Sequence, residues 1–473
     1  MRCEIRTLPL ALCILLTACA FDNIFQQTQP TLSNVNGAAT PTGAVGSTVV
    51  LAGAGFGEEQ GAGHVNFVPI SGGVGSQPTV VSWTQSAVVF VAPVGALGNY
   101  TISVQHANGR VSATRFFTLT PASPFTPSTG TWTAGPALPA AISGAGVAFA
   151  DIETSTYVYV VGGAGPSGAP VATVSYAQVA SNGTLGPWTA TTALPTALAF
   201  PGVVAATIRN SAVLGNGYLY ALGGATSATG TPVSTVYRAA ITANGTLGPW
   251  VTATPLPSAL RSVGAVVQYG SMYVIGGAGA NNAPVVNTYR LPIQVDGGLI
   301  APWKVQGPLP AARSRFAVGA EGLYLYVVGG DGGTIAPNDT GPSSSQNTVY
   351  FAKLNPSTRD IATAWAPTTA LGNARAATTA VFGAGNVLVT GGLYAGALTH
   401  TSESEYAVIN PDGTAGAFAT AAPATSINSL CSCNLFNHGS TGYYGSNGTF
   451  HVLVAGGDNV NAPGTRRAET FIF

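Results

Sequence analysis

Few side chains in this sequence could carry chemistry, and arginines stand out among them. Arg261, Arg313 and Arg375 read as occupying equivalent places, each leading into an apolar segment, with Arg315 beside the second. A guanidinium is planar, permanently charged and forked, so it suits a carboxylate and is costly to bury unpaired. Two readings stand side by side. One is a basic crescent that binds an acidic sugar or another anion. The other is a set of braces tying one structural unit to the next. Asn282, Asp331 and Asp458 follow glycine pairs and could bind sugar hydroxyls, or be plain surface-loop residues. Asp331 opens the longest such loop, which runs to Gln346 and carries Asn338 and Asp339; long polar loops on a rigid frame are common places for recognition. Cys431-Ser-Cys433 with His438 offers three metal ligands without a fourth, which falls short of a zinc site. A strained disulfide between Cys431 and Cys433, or two free thiols, is the expectation. No metal, cofactor or catalytic residue is expected.

The elements that must position these groups repeat. Tyr157–Gly163, Tyr218–Gly224, Ser271–Gly277, Leu323–Gly330, Val387–Gly392 and His451–Gly457 are each a β-branched, aromatic and aliphatic run closed by two glycines. Such a run is a buried strand, and the glycines allow a positive φ or a close backbone approach. An aromatic follows each pair: Tyr176, Tyr237, Tyr289, Tyr350, Tyr406 and Phe471. Next comes a turn dipeptide, Asn182-Gly183, Asn244-Gly245, Asp296-Gly297 or Asp412-Gly413, of the kind that favours tight hairpins. Then comes Trp188, Trp250, Trp303 or Trp365, with Phe418 in the fifth place. These tryptophans read as packing between neighbouring units. This order of landmarks resembles the Kelch repeat, a β-propeller unit. The sixth copy stops at Phe473 without its tryptophan strand, while Trp132 precedes the first copy with no strands of its own. The expectation is a six-bladed propeller over 131–473, closed by the N-terminal strand around Trp132, which removes the open sheet edges.

Composition agrees with an all-β chain. Charged residues are 7 % against a usual ~25 %, the formal net charge is zero, and Gly (62) and Pro (32) are abundant. No basic cluster marks a nucleic-acid or lipid-headgroup surface. At the N-terminus, Arg2 and Arg6 precede an apolar stretch, Leu8–Ala18, too short to span a membrane comfortably. Leu16-Thr-Ala-Cys19 resembles a bacterial lipobox, which implies a signal peptide over 1–19, lipid on Cys19, a tether over 20–29 and an outer-membrane address. Residues 30–120 carry short alternating strands. Their order, Pro30, then Val49-Val-Leu-Ala-Gly-Ala-Gly-Phe-Gly57, then Gly98-Asn-Tyr-Thr-Ile-Ser-Val104, resembles the IPT/TIG family and implies an Ig-like β-sandwich. A proline-rich linker covers 121–130.

The Kelch resemblance frames the functional expectations. Copper-radical oxidases of that fold need paired His and Tyr and a Tyr-linked Cys, whereas His64, His106, His400, His438 and His451 are scattered here. Sialidase boxes of the Ser-x-Asp-x-Gly-x-x-Trp type are absent from the sequence. The expected function is therefore non-enzymatic: a monomeric envelope lipoprotein whose propeller face binds a glycan or protein, with the Ig-like domain as spacer and the lipid as its sole membrane contact. An enzyme resembling the six-bladed Kelch sialic-acid mutarotases is the alternative, and a structural envelope component is another.

Overall fold

The computed structural model describes residues 29–473 except 39–40, 45–47, 71–74, 79, 94–96, 121–124, 126, 128–129, 153–154, 181, 211–212, 228–229, 269, 295, 336–341, 356–357, 384, 395–403, 411, 422–426, 428–429, 431–434, 445–448 and 460–464. Cys19, Cys431, Cys433, Asn338 and Asp339 thus lie outside the described residues. The chain divides into two compact units. One comprises Met1–Pro69, Gly75–Pro93 and Asn99–Leu119; the other comprises Thr120–Phe473 with Ile70–Val74 and Val94–Gly98.

The first unit holds two four-stranded sheets. One orders Thr31–Val35, Thr48–Ala54, Ala87–Val91 and Val80–Trp83; the other orders Thr42–Ala44, Arg115–Thr120, Gly98–Gln105 and His64–Pro69. Alternate residues point inward, so Val49, Leu51, Val88 and Phe90 of one sheet and Val65, Phe67, Ile102 and Val104 of the other are fully buried. Phe67 meets Phe90, Tyr100 and Phe117 at centroid distances of 5.9, 4.2 and 5.6 Å. That aromatic knot is the centre of the core.

The second unit holds six four-stranded antiparallel sheets among its described residues. The first runs Gly146–Ile152, Ser155–Val161, Val174–Val179, Thr189–Ala190 from inner to outer strand. The inner strands of the others are Gly202–Asn210, Gly264–Gln268, Ala317–Glu321, Thr379–Gly383 and Gly439–Tyr444. Each inner strand contacts the next, and the sixth contacts the first. A closed ring of sheets about a central channel is a β-propeller. The second strand of each sheet is mostly apolar because both its faces are covered; Val158, Tyr159, Val160 and Val161 are all buried. In the sixth sheet the outermost strand is Thr133–Ala134, which pairs with Phe471 and Ile472. The two ends of the repeat region complete one sheet.

The glycine pairs stitch the ring. In every pair the first glycine has φ between 51 and 63° and the second between 95 and 110°. The N–H of the second donates to a carbonyl in the lead-in to the next sheet: Gly163 to Leu198, Gly224 to Leu260, Gly277 to Arg313, Gly330 to Arg375, Gly392 to Leu435 and Gly457 to Ile142, at 2.7–3.0 Å. A Cβ on the first glycine would lie only 2.3–2.8 Å from that same carbonyl oxygen. Side-chain bonds follow the same path between sheets. The Tyr159, Tyr220, Tyr326 and Tyr443 hydroxyls donate to Gly245, Gly297, Gly413 and Gly183 carbonyls in neighbouring turns. Trp188, Trp250 and Trp365 donate Nε1–H to Pro136, Thr192 and Gly307 of the preceding sheet. The Asn-Gly turns are longer than two-residue hairpins. Gly183 donates to Ala180 while Ala180 donates to Thr184, with Gly183 at φ 86°, so the glycine supplies the left-handed residue of a bulged turn.

Candidate functional site at the channel mouth

Two residues before each inner strand one residue adopts a left-handed backbone: Gly144, Phe200, Ser262, Arg315, Ala377 and Asn437, with φ of 57, 54, 48, 52, 56 and 51°. For a residue with a Cβ this conformation costs roughly 1–2 kcal/mol. The cost is met by hydrogen bonds from sheet to sheet. Phe200 donates to Gly144 (2.8 Å), Ser262 to Phe200 (3.0 Å), Ala377 to Arg315 (2.8 Å), Asn437 to Ala377 (3.1 Å) and Gly144 to Asn437 (2.7 Å). These residues form a backbone collar at one end of the channel, and Phe200, Ser262, Arg315 and Asn437 are the larger side chains mounted on it. Sequence reasoning assigned no role to Phe200, Ser262 or Asn437.

The four arginines divide into three places. Arg313 and Arg375 stand two residues before the collar, where the other sheets have Ile142, Leu198, Leu260 and Leu435. Arg261 stands one residue before it, and Arg315 lies in it. Arg261, Arg313 and Arg375 are therefore not equivalent, contrary to the reading from sequence. The signal was present: Leu138, Leu194, Leu256, Leu309 and Leu371 each precede the carbonyl-bearing residue by four, and Arg261 is one too far.

Arg375 is fully buried and paired with the Glu405 carboxylate, while its Nη1 donates to Gly391 O (3.2 Å). Arg313 donates Nη2 to Thr348 Oγ1 (2.9 Å) and lies 5.6 Å from the Tyr350 ring centre. Both arginines are tied into their own sheets rather than to the next one. Arg261, 2 % exposed, donates Nε to Asn282 Oδ1 (2.9 Å) and sits over the Phe200 ring of the preceding sheet at 5.5 Å. Burial pulls its pKa down to about 10. Burial also pulls Arg315 down to about 10; the Asp331 and Asp458 carboxylates oppose that shift and the Arg261 charge adds to it.

Asp331 and Asp458 occupy the same place, directly after a glycine pair. Asp331 accepts from the N–H groups of Gly333 (3.0 Å), Ser344 (2.9 Å) and Ser343 (3.1 Å), and so anchors its own loop. Asp458 accepts from Asn437 Nδ2 (3.2 Å) and lies 3.9 Å from Arg466 Nε; burial raises its pKa. Below the collar, a cavity of about 240 Å³ is lined by the third to fifth residues after each collar position, such as Val147–Phe149, Val203–Ala205 and Ala380–Phe382. None of the lining residues is ionisable.

Other candidate groups are elsewhere. Glu321 is half-buried at the opposite end of its inner strand, desolvation raises its pKa, and it accepts from Gly385 N (3.2 Å). His438 bonds Thr379 Oγ1 through Nε2 (2.8 Å), and burial pushes its pKa down to about 4, which keeps it neutral. Among the described residues no three His, Cys, Asp or Glu side chains are placed to hold a metal, and no helix is long and apolar enough to cross a membrane.

This is an all-β protein with a β-propeller. Neither a protein-family model nor a curated protein sequence matches it. Among solved structures, that of YjhT matches 72 % of this chain and 96 % of its own, at 12 % identity and a TM-score of 0.48.

Proposed function

We propose that this chain is a non-enzymatic lipoprotein of the bacterial envelope, probing its surroundings with a six-bladed Kelch-type propeller that binds a glycan at the channel mouth. In this reading Cys19 carries the lipid, the outer membrane is the address, the protein acts as a monomer, and residues 30–120 form an IPT/TIG Ig-like spacer. The observation that carries it is the state of the carboxylates at the mouth. Asp331 is occupied by three backbone N–H groups and Asp458 by Asn437 with Arg466 beside it. General acid–base catalysis needs a group within reach of a substrate proton; these two are committed to holding loops. The Arg261 Nη2 and the Ser262 and Ser314 hydroxyls have no hydrogen-bond partner among the described residues, and such donors suit recognition of an oxygen-rich ligand.

The test is a glycan array probed with the chain from Ala20 onward, followed by the Arg315→Ala variant. Binding that Arg315→Ala abolishes supports the reading. Turnover of a bound sugar, lost on changing a single carboxylate, would replace it with a mutarotase-like enzyme. Absence of glycan binding would leave a protein ligand or a structural envelope role.

A further inference from the structure

The channel below the collar is edged by main chain, and the hydrogen bonds of each sheet decide which groups face it. Antiparallel strands bond a neighbour through alternate residues. In the second sheet Gly223, just after the second strand, donates its N–H to Thr235 O on the side of the third strand (2.9 Å). Ala221 and Leu219 therefore bond the third strand. Leu222, Tyr220 and Tyr218 bond the inner strand, opposite Gly202, Val204 and Ala206. The N–H and C=O groups of Val203 and Ala205 are left directed into the channel. The matching bonds are Gly162 to Thr173, Gly276 to Asn287, Gly329 to Thr348 and Gly456 to Glu469, with Ile409 to Gly385 in the fifth sheet, at 2.8–3.0 Å. With the register of each sheet they give the same result: the third and fifth residues after every collar position turn their backbone edge to the channel. In the first sheet these are Val147 and Phe149. Exposure agrees, since Val203 and Ala205 are half-buried while Val204 between them is buried.

Backbone groups inside a protein need a partner, from water or a ligand where the sheet supplies none. Each edge residue here offers one donor and one acceptor, and none of the cavity's lining residues is ionisable. A carboxylate only accepts and an ammonium only donates. Either would leave half of this edge unmet, and would lose its water with no opposite charge in the lining. A hydroxyl does both. The cavity's volume of about 240 Å³ is below the ~300–1,000 Å³ of pockets for larger ligands, which suits a single ring. Phe149 lines it and is 36 % exposed, although it belongs to an inner strand. Its ring offers a flat apolar face to the C–H side of a sugar.

We infer that the channel below the collar takes one uncharged sugar residue, whose hydroxyls meet the edge backbone groups and whose ring lies against Phe149. The inference rests on the reading of the propeller as a glycan-binding protein. It carries one residue of the glycan past the mouth and specifies that residue as neutral.

The experiment is titration of the full-length chain, in a detergent without a sugar headgroup. The neutral probes are glucose, galactose and N-acetylglucosamine; the charged ones are glucuronate and glucosamine. At least one neutral sugar is expected to bind about 10-fold or more tightly than either charged sugar. Phe149→Ala is expected to weaken it about 3- to 10-fold. Hydrogen exchange on the native chain gives a second readout that needs no variant. The amides of Val147, Phe149, Val203 and Ala205 should slow about 10-fold when sugar is bound, whereas those of Ala148 and Val204, already bonded within their sheets, should be slow throughout. A charged sugar bound as tightly, no binding of any probe, an unaltered affinity in a folded Phe149→Ala variant, or edge amides indifferent to saturating sugar would each overturn the inference. Glycans captured on the array without any effect on those amides would overturn it while leaving glycan binding at the mouth intact. Silence of both array and titration would remove the underlying reading as well.

Discussion

Gly457 donates its N–H to the carbonyl of Ile142 at 2.8 Å, joining the last sheet of the propeller to the first. The bond is possible because Gly457 sits at φ 110°, a backbone state that L-residues rarely adopt. A Cβ there would lie 2.9 Å from His438 Cβ and 3.0 Å from Phe436 O. Gly457→Ala is therefore expected to destabilise the propeller by about 2–4 kcal/mol, from strain together with the forced shift of the neighbouring sheet. Gly322→Ala is the control, since Gly322 also has positive φ but open space around its Cβ; about 1 kcal/mol is expected. Urea unfolding of both variants checks the difference.

The contrast between glycine pairs and collar explains how much sequence reading could reach. The pairs are legible because only glycine tolerates their second position, so all six copies keep it. The collar asks for an equally unusual backbone, yet Gly144, Phe200, Ser262, Arg315, Ala377 and Asn437 share no chemistry. Hydrogen bonds to the next sheet select that conformation, and side chains have little part in it. The mouth is consequently hard to see in a one-dimensional pattern, and Arg261 was aligned with Arg313 by its chemistry rather than by its distance from Leu256. The pairing of Trp132's strand with Phe471 was accessible because a missing strand at one end and a surplus one at the other can be counted.

Arg375 and Glu405 form a buried pair with almost no solvent contact. Removing one partner strands a charge, so Glu405→Gln or Arg375→Met alone should cost about 3–5 kcal/mol. The double variant Arg375→Met with Glu405→Met should cost much less than the sum, because no buried charge is left. A double-mutant cycle measured by urea unfolding tests this. Additive losses would mean that the two side chains contribute independently.

His438 ties stability to pH. Its folded pKa is pushed down to about 4 from 6.5. The unfolded state therefore takes up a proton near pH 6.5, whereas the folded state resists until about pH 4. The histidine's contribution is complete above pH 6.5 and is lost as pH falls towards 4, by up to about 3 kcal/mol. Between pH 7.5 and 4.5 the native chain should lose more stability than His438→Gln, by about 2–3 kcal/mol. Parallel losses in the two proteins would show that the acid sensitivity comes from other groups.

Trp132 is 2 % exposed and packs edge-on against Phe473 at 5.1 Å, next to the two-residue strand that completes the sixth sheet. So short a strand has little backbone pairing of its own, and the indole supplies much of its anchoring. Trp132→Ala should cost about 3–5 kcal/mol through lost apolar contact and the cavity left behind. The effect should also be local. Amides of Thr470–Ile472 are expected to lose hydrogen-exchange protection well before those of Ser155–Val161, whose strand is held on both sides within the first sheet. Uniform loss across both segments would mean that the ring opens as one cooperative unit and that the closing strand is not its weakest point.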